Sequence, residues 1–523
     1  MPDQALIDPA LIDPALIDRL LQRAALGPDP VNRVVVAPFT GERLYDLPMS
    51  GPVEVEGAVS VARAAQPAWA ALSVRQRAKV MLAFHDLIQQ RREQGLDLVQ
   101  LETGKARRDA MEELLDVMVN ARHYARDAAR LLRPKRHRGA FPGLIGVQEL
   151  HQPRGVVGVL SPWNYPLTLA VSDAVPALLA GNAVILKPDV QTTLTALWAI
   201  DLLIEAGLPA AVIQVVTGEG AVVGPLVIEE VDYVMFTGST RVGREVAQRC
   251  GERLIGCSLE LGGKNAMIVR ADADIDKAAE IAARSSFSNS GQLCISMERI
   301  YVHDTIYEAF AAAFAARADA LVMKPGVGWG ADMGSLISEG QATRVIAHID
   351  DAVSGGAQVR AGGHRRPEIG PYYVEPTILE AVTDDMVLCD EETFGPVVAL
   401  YPVASDEEAI DRANDTAYGL NASVITRDHA VGRRMAARLR AGTVNVNEGY
   451  AAAWGSTRAP MGGMGESGLG RRHGAEGLLK YTESQTIAHQ RLLGFGAPFG
   501  WSDERWGETL VLVLGGLKKL GLK

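Results

Sequence analysis

The chain has 523 residues, with 52 Lys+Arg against 63 Asp+Glu, a formal net charge of −11, 48% hydrophobic and 22% charged residues. That length predicts two or three subdomains, and the balance excludes disordered, collagen-like and coiled-coil classes. No basic block interleaved with aromatics is present, so a nucleic-acid partner is excluded too.

The four cysteines, Cys250, Cys257, Cys294 and Cys389, fit no disulfide framework and no zinc spacing, which predicts reduced thiols, no metal site and a cytoplasmic setting. The opening Met1-Pro2-Asp3 lacks a basic stretch followed by an apolar one, and no apolar run nears the ~18 residues of a membrane span. Neither a leader nor a transmembrane segment is expected. Glycine (53) and proline (26) reach about 15%, which predicts many tight turns and close backbone approaches.

In chain order, Ala5 to Asp18 reads ALIDP-ALIDP-ALID, and its prolines interrupt any helix, so a frayed arm without a role is expected over residues 1–29. From about Pro52 to Leu132, apolar residues at spacings of three and four, such as Val80, Met81, Phe84, Leu87 and Ile88, predict amphipathic cover helices. From Gly155, short apolar runs ended by Gly or Pro predict buried parallel strands over 155–160, 182–188, 211–218 and 231–238. Helices over 166–179 and 193–206 alternate with them, the pattern of a doubly wound α/β sheet. A second α/β block follows, with strands over 266–269, 299–302, 397–403 and 443–447 and helices over 275–284 and 307–321. The tail from Gly494 ends in TLVLVLGGLKKLGLK, an apolar run followed by lysines. Membrane-surface binding and packing on a neighbouring subunit are open to it, and simple packing or fraying is the plainer expectation.

Four motifs carry chemistry. Gly238-Ser239-Thr240-Arg241-Val242-Gly243 links a strand to a helix, where free backbone N–H groups and the positive end of the helix dipole suit a phosphate. Cys294 sits in a polar loop, Asn289 to Ile295, that gives a thiol the access a nucleophile needs, whereas the other three cysteines read as ordinary thiols. Glu260 stands between Leu259 and Leu261, neighbours that disfavour its charged form and raise it toward a general base. Asn164, in Pro162-Trp163-Asn164-Tyr165-Pro166, offers an amide N–H to an oxyanion from a proline-stiffened turn. Each also has a plain structural reading: a tight turn, a loop thiol, a strand-end glutamate and an Asx turn.

Together, PWNYP at 162–166, KP at 187–188, FTGSTRVG at 236–243, LELGGKN at 259–265, GQLC at 291–294, EETFGPV at 391–397 and SGLGR at 467–471 stand in an order that resembles the aldehyde dehydrogenase superfamily. The resemblance runs from about residue 30 to 490. It implies an aldehyde dehydrogenase-like α/β fold: a Rossmann-type coenzyme domain over 30–135 and 155–261, an α/β catalytic domain over 262–462, and a small β oligomerisation element over 136–154 and 463–492. The tail covers 493–523. It also implies a homodimer or homotetramer, a small-molecule aldehyde as substrate, and NADP or NAD as cofactor.

By the same resemblance, Cys294 is the nucleophile, Asn164 with the Cys294 backbone N–H holds the oxyanion, and Glu260 activates the water that hydrolyses the thioester. Glu392 and Phe394 match the nicotinamide-holding positions, Lys187 the adenosine-ribose contact, and Trp163, Gly238, Ser239 and Gly243 the coenzyme and its pyrophosphate. The chain departs from NAD-preferring members three residues after Lys187, where Val190 replaces a ribose-binding glutamate. Losing that carboxylate admits a 2′-phosphate and hence NADP, while Asp189 pulls toward NAD.

The motifs KPDVQT at 187–192, GYAAAWGS at 449–456 and APMGGMG at 459–465 look like a bacterial branch labelled NADP-type succinate-semialdehyde dehydrogenase. Ser172 and Ser288 occupy places where enzymes acting on that substrate carry arginines, and Arg299, Arg458 or Arg154 are the candidates to replace the charge. Alternatives are oxidation of uncharged aliphatic or aromatic aldehydes, a CoA-acylating enzyme, which the hydrolytic Glu260 opposes, and a silent family member acting as a binding protein.

Overall fold

A computed structural model describes residues 13–141, 144–492, 494 and 496–521. Its first large sheet has six strands in the order Gly468–Leu469, Gly256–Glu260, Tyr233–Thr237, Val156–Leu160, Ala183–Lys187 and Ile213–Val215, parallel except for the first pair. The central strands are buried along their whole length, as continuous apolar runs such as Val156–Leu160 and Ala183–Lys187 require when helices cover both faces. The chain leaves Val156–Leu160 toward Ala183–Lys187 on one side and returns to its other side as Tyr233–Thr237. A ligand crevice opens at such a reversal, at the carboxyl ends of the strands. The turns 161–166 and 238–239 lie there, directly after the two strands that flank it.

The second sheet runs Gln358–Ala361, Thr377–Glu380, Val397–Val403, Met297–His303, Asn265–Val269, Asn421–Ile425 and Thr443–Val446. All its neighbours are parallel except the first pair. A third, antiparallel sheet joins Thr482–Gln490, Ile145–Pro153 and Lys135–Arg138.

Three expectations change. The helix expected over 166–179 is two, Pro166–Val171 and Ala174–Leu179, because Pro176 has no N–H to donate back toward Ser172 and the chain turns there. The strand expected over 211–218 shrinks to Ile213–Val215 behind a short 3₁₀ turn. The frayed arm is in part a docked helix, Pro14–Leu21: Asp13 caps it, Pro14 takes the first-turn position where its missing N–H costs nothing, and Leu16 and Leu20 are buried. Arg19 and Arg23 pair with Asp201 beside it. The first copy of the repeat and the second as far as Ile12 lie outside the described residues.

At the other end the tail forms a helix, Asp503–Lys519, capped by Ser502. No helix among the described residues is long and apolar enough to cross a membrane.

Candidate active site

Two adjoining cavities share Pro162, Trp163, Thr237, Gly238 and Ser239 and make one cleft at the crevice of the first sheet. The outer, of about 550 Å³, is lined by Lys187, Asp189, Gly220, Gly238, Ser239 and Arg241 among others. The inner, of about 210 Å³, brings together Trp163, Asn164, Glu260, Cys294, Glu392 and Phe394. The residues singled out in the sequence thus converge, although up to about 230 positions separate them. Gly243 lies one turn inside the helix Thr240–Glu252, where a Cβ would stand 2.4 Å from a Leu261 methyl, so its lack of a side chain serves helix packing.

In the outer part, Ser239 caps the helix Thr240–Glu252, leaving first-turn N–H groups and the dipole facing the cavity. Lys187 is buried, and that burial pulls its ammonium below the usual lysine range, against the opposing pull of Asp189. Asp189 spends one oxygen on the Gln191 N–H at 2.9 Å, and Val190 is buried. Arg241 and Arg249 on the rim are paired with Glu245 and Glu229. Lys187 is therefore a buried cation lining the outer cavity.

The inner part is built around three groups that avoid charge. Burial, with help from Glu392 and Glu260 and against Arg472, pushes the Cys294 thiol up to about 12. Glu260 is buried, its Oε1 has no hydrogen-bond partner, and burial raises it to about 7 against the pull of Arg472 and Lys480. Glu392 is raised to about 8 by burial and the nearby Glu298, while the Gly263 N–H donates to its Oε1 at 2.9 Å. Gly262 makes room for this carboxylate, since a Cβ there would stand 2.3 Å from its Oε2. Trp163 and Phe394 meet edge to face at 5.5 Å. The Asn164 amide donates one N–H to Gln292 O at 3.1 Å and has a second to offer.

On the far side of Cys294, Tyr165, Leu169, Leu293, Ile295, Tyr450 and Met461 form an apolar cluster with Trp454 packed against it. The Tyr165 hydroxyl is buried without a partner, and the Tyr450 hydroxyl donates to Glu112 at 3.1 Å. Arg284 binds the same Glu112 at 3.0 Å. Ser172 donates to Asp116 at 2.7 Å.

None of the three arginines proposed from the sequence reaches this cluster. Arg299 is buried on the strand Met297–His303 and donates to the Lys264 and Ala413 carbonyls, Arg458 is exposed beside Asp127, and Arg154 is held by Lys480 O and Glu483. Their guanidiniums are committed to backbone or acids elsewhere, and Arg284, with Arg108 and Arg317, lines a cavity that includes Ser288.

Sequence reasoning missed the supports. The fully buried Lys105 binds Glu113 at 2.7 Å and the Asn164 carbonyl at 2.7 Å, while Glu113 accepts the Leu167 and Thr168 N–H groups, so one ion pair fixes the turn that carries Asn164. Lys264 binds Glu298 at 2.5 Å and the Glu391 carbonyl at 2.8 Å, and Glu298 accepts the Thr393 and Phe394 N–H groups. A second buried pair thereby fixes the segment bearing Glu392 and Phe394. Behind Glu260, Asp173 is bound by Arg472, Lys480 and Tyr481, and the two cations overcome its burial and hold it near 2. Long-range pairs of this kind leave no periodic signal in sequence.

Comparison with known proteins identifies the family. The model of the aldehyde dehydrogenase family matches residues 29–487. A Mycolicibacterium smegmatis protein named "Putative succinate-semialdehyde dehydrogenase [NADP(+)]" is 52% identical over 489 residues, 94% of this chain and 95% of its own. Among solved structures, an E. coli NADP-dependent enzyme superposes with a TM-score of 0.86 at 33% identity, covering 91% of this chain and 99% of its own. The NAD+ complex of a Bacillus cereus aldehyde dehydrogenase gives 0.85 at 33% identity, with 92% and 99% covered. The chain belongs to the aldehyde dehydrogenase family.

Proposed function

We propose that the protein oxidises an aldehyde to its carboxylic acid with NADP or NAD, on the observation that Cys294, Glu260 and Asn164 line one buried cavity continuous with a dinucleotide-sized cleft. Cys294 Sγ adds to the aldehyde carbonyl as its proton leaves; a thiol near 12 is inert at rest, so the proton needs an acceptor, and Glu260 lines the same cavity. The second N–H of Asn164 and the Cys294 backbone N–H hold the oxyanion. Lys187, Asp189, Gly238, Ser239 and Trp163 would hold a nicotinamide coenzyme, with Glu392 and Phe394 toward its nicotinamide, and it would supply the hydride acceptor. Once the adduct on Cys294 has become a thioester and Glu260 has passed the thiol's proton to solvent, Glu260 draws a proton from water, the hydroxide displaces Sγ as a thiolate that takes this proton back, and the acid leaves.

The name carried by the M. smegmatis relative brings succinate semialdehyde forward as the substrate, and Arg284 beside Ser288 and Tyr450 is the cation its distal carboxylate would meet. A second reading, uncharged aliphatic or aromatic aldehydes, is favoured by Glu112, which already holds Arg284. The working form is proposed as a cytoplasmic homodimer or homotetramer joined through the sheet that includes Thr482–Gln490, whose side chains are exposed after the first.

The test is coenzyme reduction by the purified protein with succinate semialdehyde, butanal and benzaldehyde, each with NAD and NADP. Oxidation of at least one aldehyde is expected, and a silent protein with every pair overturns the reading. A tenfold gap in kcat/KM between the charged and uncharged aldehydes, about 1.4 kcal/mol, decides between the two substrate classes.

A further inference from the structure

The helix Asp503–Lys519 lies beyond the segment that the family matches. Its start is anchored: Trp506 is buried, and with Leu510 it lines a recess against Leu144 and Ile145, next to the third sheet. Beyond it Gly516 and Leu517 are still half-buried, but the run between is bare. Val511, Leu512, Val513 and Leu514 are 68%, 76%, 44% and 45% exposed, and Leu520 is 74% exposed. Such a run of bare apolar side chains needs a cover.

The geometry of the run says what kind. Consecutive residues step 100° round a helix, so four in a row spread over about 300° of its circumference. A protein face covers one side of a helix and would leave part of this run bare, whereas a lipid phase surrounds it. The charge pattern agrees. Asp503, Glu504 and Glu508 stand at the anchored end, and from Thr509 to Lys523 the sequence has three lysines and no acid. Lys518 and Lys519 follow the apolar turns, where their stems can lie along acyl chains with the ammonium groups among headgroups.

We propose that the end of this helix docks the protein on an anionic membrane surface. Residues 510–517 rise only about 12 Å, which reaches into one leaflet and falls far short of the ~30 Å core. The net charge of −11 opposes approach at long range, but beyond about 8 Å that field is screened at physiological ionic strength. Unlike the lysines, the buried Trp506 faces the protein, so the docked helix keeps its hold on the body.

The experiment is flotation of the full chain with phosphatidylcholine vesicles, with and without phosphatidylglycerol, beside size measurement by light scattering. The wild-type chain is expected to float with the mixed vesicles and more weakly with the neutral ones. Leu512→Glu should abolish flotation and leave aldehyde oxidation unchanged, and Lys518→Glu should weaken binding to the anionic vesicles by about tenfold. Failure of the wild-type chain to float, or equal flotation of Leu512→Glu, overturns the proposal. Loss of oligomer size in Leu512→Glu with no vesicle binding by either chain would instead make a second copy the cover.

Discussion

The two sides of Cys294 are built by different means. Toward the coenzyme cleft, function rests on backbone and on buried ion pairs: the capped helix at Ser239, the glycine at 262, and Lys264–Glu298 gripping the segment 391–394. Toward the acyl side it rests on side-chain bulk and a few hydroxyls, with Tyr165, Tyr450 and Trp454 drawn from distant parts of the chain. The first construction tolerates one kind of ligand, and the second can be retuned by single replacements. Specificity for the aldehyde is therefore expected to change far more readily than the coenzyme chemistry.

Variants can break this contrast. Cys294→Ala should lower steady-state coenzyme reduction by at least about 10³-fold, since on the proposed mechanism the acyl group is carried on this sulfur. Glu260→Ala should leave a first-turnover burst and lower steady turnover by about 10² to 10⁴-fold, read in a stopped-flow trace.

The pH dependence sharpens the assignment. With Glu260 as the base we propose and its carboxyl raised to about 7, steady turnover should fall tenfold per unit as pH drops below about 7. Glu260→Gln should erase that limb, and persistence of the same limb would assign it to another group.

On the coenzyme side, Lys264→Met strands the buried Glu298 carboxylate. A loss of about 3–5 kcal/mol in unfolding free energy is expected, with weaker coenzyme binding by calorimetry. The smallest effect should come from Lys187→Met: about a tenfold rise in Kd for NADP and less for NAD, if the lysine answers a 2′-phosphate. An equal rise for both would place it on the shared ribose instead.

The coenzyme side was also the more legible in the sequence. Its glycines and caps are local devices, so the segment 236–243 announced a strand, a turn and a helix start, and the structure places the cap at Ser239. The acyl side was not legible, because the direction of an arginine side chain depends on packing that no spacing encodes. Arg299 is turned away from the site by the Lys264 and Ala413 carbonyls, and Arg284 is drawn to the rim by Glu112 on another helix. The break at 172–173 has no sequence signature for a related reason. The apolar pattern continues through it, and only the missing N–H of Pro176 interrupts the ladder.

The short strand Gly468–Leu469 pairs with Gly256–Glu260 and so closes the edge on which Glu260 stands, while Arg472 and Lys480 arrive with it to neutralise Asp173. During synthesis these are among the last parts of the folded body to leave the ribosome. A nascent chain carrying Cys294 but not yet residue 468 has its thiol without the finished surroundings of its base.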